Sequence, residues 1–227
     1  MWPLLNEYRR QTRSTGCGWH DYATLNGLLR HCRPSEVLEC RTGVLTLVIG
    51  QSLLDNDAET GMREPVTSTE EFEEWFDLAT RLLPATYRAV VDFQLSDTVE
   101  DSYSMFRGVR YRSVPDRPYG FVFVDGPKYR SPVDGTPTFD FDYQHVLRSS
   151  EAPVAALMDK RVNTCFALQQ LLGTRKVRRR PIKGLGVVTP CARRDRGVLA
   201  SDRSSTNFAA TFRLLGLTHL RMEPIAK

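Results

Sequence analysis

The sequence lacks the features that would assign it to a membrane or a secretory pathway. No apolar run reaches about 18 residues, the length that a transmembrane helix requires. The first residues are polar, carry Arg9, Arg10 and Arg13, and contain no apolar stretch of the kind found in a signal peptide. We therefore expect a cytoplasmic protein that has no membrane partner.

Cysteine is sparse and irregularly spaced. The five cysteines are odd in number and form no C-x-x-C pair, which argues against a disulfide framework and against a structural zinc site. Free thiols in a reducing compartment are the expectation. The cysteines are Cys17, Cys32, Cys40, Cys165 and Cys191.

A strong charge of one sign is also lacking, since the net charge is only +4. That value permits anionic partners without indicating nucleic acid. Basic residues do crowd one segment, 175–183, which contains Arg175, Lys176, Arg178, Arg179, Arg180 and Lys183. The segment is either an edge strand protected by charge, which we favour, or a rim that binds anions such as an RNA backbone.

The composition that remains is that of a soluble globular domain. The chain has 227 residues, of which 41% are hydrophobic and 26% are charged, values that suit one α/β domain with a single well-buried core. We divide this single domain into a core, 19–190, with an N-terminal extension, 1–18, and a C-terminal extension, 191–227.

Hydrophobic periodicity predicts alternating strands and helices. The predicted helices span 19–32, 44–54, about 70–83, 98–110, 140–149 and 163–172. The predicted strands span 37–40, 66–69, 88–95, 121–124, 153–158, 174–180 and 185–189. Ser68 and Glu71 fit a capping box for the third helix, 55–65 reads as a loop, and 208–217 is one further candidate element.

This order of elements predicts an α/β fold with a doubly wound, mostly parallel seven-stranded sheet and helices on both faces. The last two strands are joined by so short a turn that they must form an antiparallel hairpin. In such sheets the ligand binds outside the carboxyl ends of the strands. Acidic residues follow four strand ends, and a fifth lies two residues past another: Glu39, Glu70, Asp125, Asp159 and Asp97.

The residues at these strand ends resemble the motifs of one family. VLECRTGVLTLVI (37–49) resembles motif I of class I S-adenosylmethionine-dependent methyltransferases, and VTSTEE (66–71) and LSD (95–97) are similar to their second and third motifs. FVFVDGPKY (121–129) looks like the fourth motif of the small, catechol-type O-methyltransferases. The resemblance implies S-adenosylmethionine as cofactor and O-methylation of a small molecule, which would be the partner.

The resemblance also implies roles for individual residues. Glu70 would accept hydrogen bonds from the ribose diol. Asp97, with Ser96 beside it, would accept from the adenine amino group. Glu39 and the turn Arg41-Thr42-Gly43 would lie near the amino-acid end of the cofactor, and Asp125 would face the methyl donor. Asp125 and His145 are the candidate general bases, and His20 is a further one.

Each of these residues also has an ordinary structural explanation. Glu70 could simply open a helix, where the dipole favours acidic residues. Asp97 could cap a helix, and Asp125 could form a turn. Glu39 is harder to explain in this way, because a carboxylate in a buried strand needs a partner.

Two departures from the family pattern affect function. Arg41 stands where motif I has its first glycine, so its side chain either turns outward, pairs with the cofactor carboxylate, or fills the pocket. Asp125 and Asp159 match two positions of the catechol-type metal site, but Lys160 replaces the next ligand and would repel a cation. We therefore favour a protein that does not depend on a divalent metal, although Asp125 and Asp159 remain weak candidates for metal ligands.

Three other functions remain open. A degenerate methyltransferase-like domain blocked by Arg41 could act as a binding protein. An RNA or protein methyltransferase could use the basic segment 175–183, although this segment lacks the interleaved aromatic residues of a stacking surface. A nicotinamide dehydrogenase fits poorly, because G-x-G-x-x-G is absent after the first strand.

Overall fold

The computed structural model describes residues 2–12, 17–62, 65–103, 106–180 and 182–197, and the statements below concern these residues. The candidate element at 208–217 lies outside them. The proposed division into 1–18, 19–190 and 191–227 stays a prediction. Among the described helices, none has both the length and the apolar character needed to cross a bilayer.

The described part of the chain alternates helices and strands over most of its length. The helices are α1 (Trp2–Thr12), α2 (Trp19–Cys32), α3 (Val44–Thr60), α4 (Glu73–Leu82), α5 (Asp142–Ser149) and α6 (Val162–Leu172). The strands are β1 (Val37–Cys40), β2 (Val66–Glu70), β3 (Val91–Leu95), β4 (Thr98–Tyr103), β5 (Phe106–Tyr111), β6 (Phe121–Val124), β7 (Phe139–Asp140), β8 (Val154–Asp159), β9 (Val177–Arg180) and β10 (Leu185–Cys191).

Seven strands form one central sheet in the order β3-β2-β1-β6-β8-β10-β9. The first five are parallel, and β10 runs antiparallel to both β8 and β9. Every residue of β1, β6 and β8 is buried, because both faces of the sheet are covered. The predicted doubly wound sheet and its C-terminal hairpin are confirmed, and β9 is the edge strand.

Side chains that alternate along the strands build two cores, one on each face of the sheet. Val37 and Phe121 point into the core beneath α2 and α3, whereas Leu38 and Val122 point into the core beneath α5 and α6. Burying each such side chain contributes about 1.5–3 kcal/mol. The two cores therefore fix the height and direction of the strands, and with them the positions of the strand ends.

The predicted helix at 98–110 is wrong, because this segment forms the antiparallel pair β4–β5. In β5, Phe106, Gly108, Val109 and Tyr111 are buried and the two arginines are half-buried, and the aromatic and β-branched residues among the buried ones favour a strand. β7 pairs in parallel with β5 and completes a second, three-stranded sheet. The connection between the parallel strands β3 and β6 is thus made by a β-hairpin rather than by a helix.

Several predicted boundaries also shift. Helix α3 continues to Thr60 instead of ending at 54, and Gly61 ends it with a left-handed φ of 70°. The predicted capping box is wrong, because Ser68 lies inside β2 and Phe72 precedes the first residue of α4. Strand β3 begins at Val91 rather than at 88, since 85–87 form a 3-10 turn.

The close packing at Gly108 predicts a stability effect. A Cβ added there would lie 2.9 Å from Cβ and Cγ of Phe141, so Gly108→Ala should lower the free energy of unfolding by about 1–3 kcal/mol. The control is Gly27→Ala in α2, where nothing lies within 4 Å of the new Cβ. That substitution should raise stability by about 0.5–1 kcal/mol, because alanine loses less entropy in a helix.

Urea unfolding of both variants, followed by circular dichroism, measures these free energies. Equal effects of the two substitutions would contradict the packing of Phe141 against Gly108.

Candidate functional site

A cavity of 360 Å³ opens at the carboxyl ends of the parallel strands. This is the position at which ligands bind in doubly wound sheets, and the volume falls within the range of about 300–1,000 Å³ for small-molecule sites. Its lining comes from α1, the segment before α2, the strand ends and α4. The lining residues are Tyr8, Thr12, Cys17, Tyr22, Arg41, Thr42, Gly43, Val44, Leu45, Glu70, Trp75, Leu78, Ala79, Asp125, Asp159 and Lys160.

Glu39 is fully buried and is not part of the lining of this cavity, so its predicted contact with the cofactor stays a prediction. Its Oε2 accepts hydrogen bonds from Thr46 Oγ1 at 2.7 Å and Ser68 Oγ at 2.5 Å, while Oε1 has no partner among the described residues. Burial raises the pKa of Glu39 to about 8, although the two hydroxyl groups oppose the shift. The side chain therefore joins β1 to β2 and to the start of α3.

Glu70 ends β2 and lines the cavity, as predicted for a residue at this strand end. Its Oε1 accepts the backbone N–H groups of Glu71 at 2.9 Å and Phe72 at 3.1 Å. Its Oε2 accepts the Thr42 hydroxyl at 3.3 Å. The pKa of Glu70 is raised above its ordinary value, because the effect of burial outweighs the opposing effects of its backbone hydrogen bonds and of the Arg41 charge. One carboxylate oxygen is thus held by the backbone, and the other has only one weak bond.

Arg41 stands at the first turn after β1 and is exposed. Its φ of 89° is a left-handed conformation that favours glycine, the residue of the family motif. Gly126 permits this turn, because a Cβ at Gly126 would lie 2.6 Å from the Arg41 Cβ. Arg41 therefore lines the cavity while its side chain remains exposed to solvent.

Asp125 follows β6, Asp159 ends β8, and both line the cavity. Burial raises the pKa of Asp125 to about 6, against the opposing charge of Arg161. Arg161 donates to the Asp125 backbone carbonyl and to Asp140 Oδ1 at 3.2 Å. Burial also raises the pKa of Asp159, whose Oδ2 accepts the Cys17 thiol at 3.2 Å.

The catechol-type metal does not fit this pair of aspartates. The Arg161 guanidinium lies 3.8 Å from Asp125 Oδ1, and Lys160 Nζ lies 3.9 Å from Asp159 Oδ2. Two cationic groups thus stand where a magnesium ion would need oxygen ligands and water.

Ser96 and Asp97 do not line the cavity. Ser96 is buried and its hydroxyl accepts the Ser113 N–H, whereas the largely exposed Asp97 pairs with Arg112 at 2.8 Å. The backbone N–H of Arg112 also donates to the Asp97 carbonyl. Both residues anchor the β4–β5 hairpin to the end of β3, and their proposed contact with adenine stays a prediction.

The candidate base His145 also lies away from the lining of the cavity. It sits in the first turn of α5, where its charged neighbours are Arg110, Asp101 and Arg148, and burial lowers its pKa. His20 is exposed and does not line the cavity either. Of the predicted bases, Asp125 alone among the described residues lines it, which corrects the expected position of His145.

Sequence reasoning missed the part of the lining that comes from the N-terminal segment. Leu5 and Tyr8 of α1 are buried against the core beneath α2 and α3, which brings Tyr8 and Thr12 to the cavity. Cys17 joins them from the segment before α2. The spacing of Leu5 and Tyr8 on one helical face was a weak signal, and nothing in the sequence indicated which surface this face covers.

The basic segment contributes no described residue to the lining of the cavity. Arg178 and Arg180 are exposed on the edge strand β9, which is separated from β8 by β10. This position agrees with charge that protects a sheet edge.

A second, smaller cavity of 230 Å³ adjoins the first through Lys160, which lines both. Its other lining residues are Tyr129, Thr138, Asp140, Arg161, Val162, Asn163 and Thr164. Tyr143, in α5, is not part of this lining, because it is buried in the core and its hydroxyl donates to the Val154 carbonyl.

No protein-family model matches the sequence, and no curated protein matches it either. Solved structures do match its fold. A methyltransferase from Geobacter sulfurreducens has a TM-score of 0.52 at 12% identity, and the match covers 83% of this chain and 89% of that one. A candidate O-methyltransferase from Klebsiella pneumoniae has a TM-score of 0.50 at 15% identity, with 69% of this chain and 64% of that one covered.

An O-methyltransferase from Bacillus cereus, crystallised with SAH, has a TM-score of 0.46 at 15% identity and covers 70% of this chain. The match spans less than two thirds of the Klebsiella and Bacillus proteins, 64% in each case. The first two structures, together with the strand order, show that this chain has the class I methyltransferase-like fold. The predicted fold is thereby confirmed.

The buried Glu39 predicts a pH dependence of stability. The folded protein holds the Glu39 proton up to about pH 8, whereas the ordinary pKa is 4.5, so stability is lost as pH rises between these values. Glu39→Gln removes the ionisation and can keep both hydroxyl contacts. Its free energy of unfolding relative to wild type should rise by about 2 kcal/mol between pH 6 and pH 9.

Urea unfolding at the two pH values measures this difference. The exposed Glu151→Gln is the control and should show no such change. A Glu39→Gln curve that runs parallel to wild type across this range would contradict a protonated Glu39.

Proposed function

We propose that the chain is an S-adenosylmethionine-dependent methyltransferase that methylates a hydroxyl group of a small molecule. The observation that carries the proposal is the position of Glu70, whose Oε1 is fixed by two backbone N–H groups at the rim of the main cavity. Because the backbone holds one oxygen, Oε2 is oriented to accept a hydrogen bond from a diol. The methyltransferase-like fold supports the same conclusion.

The other lining residues suit the two ends of the cofactor. By resemblance to the family, the amino-acid end lies beside the turn 41–43, above Glu39. The exposed Arg41 guanidinium can pair with a carboxylate there, in place of the backbone approach that a glycine would allow. The 360 Å³ of the cavity and its mixture of apolar and charged lining suit a ligand with an adenosyl group and a charged tail.

The bound cofactor supplies an activated methyl group for in-line displacement by the acceptor oxygen. The protein aligns the acceptor and removes its proton. Asp125 is suited to accept that proton, because a carboxyl with a pKa of about 6 is mostly ionised at pH 7 yet is more basic than an ordinary aspartate. Arg161 restrains the loop after β6 by donating to the Asp125 and Pro127 carbonyls.

The adjoining cavity is the proposed location of the acceptor. Tyr129 offers an aromatic face, and its ring centroid lies 5.4 Å from the Arg161 guanidinium carbon. The volume of 230 Å³ suits a small molecule better than a macromolecule. The competing function is that of a degenerate binding domain. It would apply if the side chain of Arg41, whose backbone is left-handed, occupied the space that the cofactor needs.

Replacement of Glu70 tests cofactor binding. Glu70→Gln keeps an oxygen for the N–H groups of Glu71 and Phe72 but removes the charge. Because a hydrogen bond to a charged group contributes about 1.5–3 kcal/mol, affinity for S-adenosylmethionine should fall about 10- to 100-fold. Titration calorimetry measures the affinity, and Glu151→Gln is the matched control that should bind normally.

A thermal or denaturant shift gives an independent measurement. Cofactor at about 100 times its dissociation constant should stabilise the wild-type chain by roughly 2.7 kcal/mol. Absence of any stabilisation at millimolar cofactor would reject the methyltransferase and leave the degenerate domain. Full affinity in Glu70→Gln would reject the role of Glu70 alone.

Two substitutions at Arg41 separate its proposed functions. Arg41→Ala removes the guanidinium and keeps the Cβ, whereas Arg41→Gly also relieves the left-handed backbone. If Arg41 pairs with the cofactor carboxylate, both variants should bind S-adenosylmethionine about tenfold or more weakly. Tighter binding by both variants would instead show that the side chain obstructs the cavity.

The backbone effect is measured in the same two proteins. A left-handed conformation costs a non-glycine residue about 1–2 kcal/mol, so Arg41→Gly should unfold at higher urea concentration than Arg41→Ala. Equal midpoints would indicate that the turn relaxes without glycine.

A further inference from the structure

Three potential metal ligands meet at one end of the main cavity. Cys17 precedes α2, Asp21 lies in its first turn, and Asp159 ends β8. One ligand atom from each of the three lies within 4.8 Å of the others. Since Cys17 and Asp159 are 142 positions apart in the chain, the folded structure alone brings this group together.

The Asp159 carboxylate provides a second, independent indication of a ligand. The residue is only 3% exposed, and its Oδ1 has no hydrogen-bond partner among the described residues. Its Oδ2 accepts the weak thiol donor of Cys17 at 3.2 Å. Leaving a buried polar atom unsatisfied costs about 1–3 kcal/mol, and more for a charged group, so a cation that bonded Oδ1 would remove this cost.

We propose that Cys17, Asp21 and Asp159 form a binding site for a zinc-class divalent cation. A cysteine sulfur favours zinc over magnesium, and aspartate oxygens complete a mixed ligand set that zinc accepts. Three protein ligands leave the fourth tetrahedral position open, which is the arrangement of zinc sites that also bind a small molecule. Because Cys17 and Asp159 line the main cavity, a molecule in that cavity can reach the open position.

The charges of the bound state nearly balance. Binding transfers the Cys17 thiol proton to solvent, so one thiolate and two carboxylates face the cation and leave one excess negative charge. Lys160 Nζ lies 3.9 Å from Asp159 Oδ2 and would oppose a cation there, but its side chain is 63% exposed and can turn into solvent when the cation binds. Asp21 already accepts the Gly18 N–H with Oδ2, which orients its carboxylate.

This site differs from the catechol-type metal position, since it takes its ligands from the N-terminal segment and excludes Asp125. It does not depend on the proposed methyl transfer, because the metal is measured in the absence of cofactor and acceptor. Failure of one proposal therefore leaves the other intact.

Cobalt titration of the reduced, chelator-treated full chain tests the site. One equivalent of Co²⁺ should produce a thiolate-to-cobalt charge-transfer absorption in the near ultraviolet, and Zn²⁺ should abolish it by competition. Cys17→Ser should remove the absorption, whereas Cys32→Ser, which changes an exposed cysteine outside the group, should retain it. A hundredfold excess of Mg²⁺ should leave it unchanged.

Asp21→Asn serves as a second variant in case the buried Cys17→Ser fails to fold, which far-ultraviolet circular dichroism would reveal. The asparagine keeps an oxygen for the Gly18 N–H, so the fold should persist while affinity for Co²⁺ falls at least tenfold. The proposal is overturned if no thiolate absorption develops, if it survives in Cys17→Ser, if Asp21→Asn binds normally, or if Mg²⁺ displaces the cobalt.

Discussion

The buried Glu39 carboxyl is the contact on which the arrangement of the strand ends depends. It accepts hydroxyl groups from Ser68 in β2 and Thr46 in α3, and so joins three elements where the cavity begins. Burying a polar group is costly unless it is hydrogen-bonded, and one oxygen of Glu39 has no partner within the part of the chain that the structure describes. The hydrophobic cores on both faces offset that cost. As a result, β1 and β2 end level with one another, and Glu70 reaches the rim of the cavity.

The sequence alone predicted the parallel sheet because its strands are short and almost entirely apolar. Phe121–Val124 and Val154–Met158 have no polar face, so they could only be covered on both sides. The helix prediction for 98–110 is wrong because the few apolar residues there fit a helical period and an alternating period about equally well. The strand at this segment depends on the packing of the Phe141 ring against Gly108, which has no side chain. A local sequence pattern carries no information about such a contact between distant residues.

The same distinction between local and distant information applies to the site. Glu70 and Asp125 could be found from the sequence because each follows its own strand, and parallel strands end at one edge of the sheet. Tyr8 and Cys17 could not be found in this way, since Tyr8 reaches the cavity through the packing of α1 against α3 and Cys17 lies against the distant Asp159. Asp97 also lies just past the end of a strand, β3. It does not reach the cavity, because Arg112 of the segment after the β4–β5 hairpin pairs with its carboxylate.

The distribution of charge around the cavity favours some ligands over others. Arg41 and Lys160 line the same cavity as three carboxylates, so positive and negative side chains lie together in one small volume. The carboxylates are those of Glu70, Asp125 and Asp159. A pyrophosphate or an RNA backbone would place several negative charges near these carboxylates, where like charges repel. A ligand that carries an ammonium, a carboxylate and a sulfonium can instead meet each sign with its opposite. The mixed lining therefore supports the proposed adenosyl sulfonium together with the position of Glu70, and it disfavours the dinucleotide that other doubly wound folds bind.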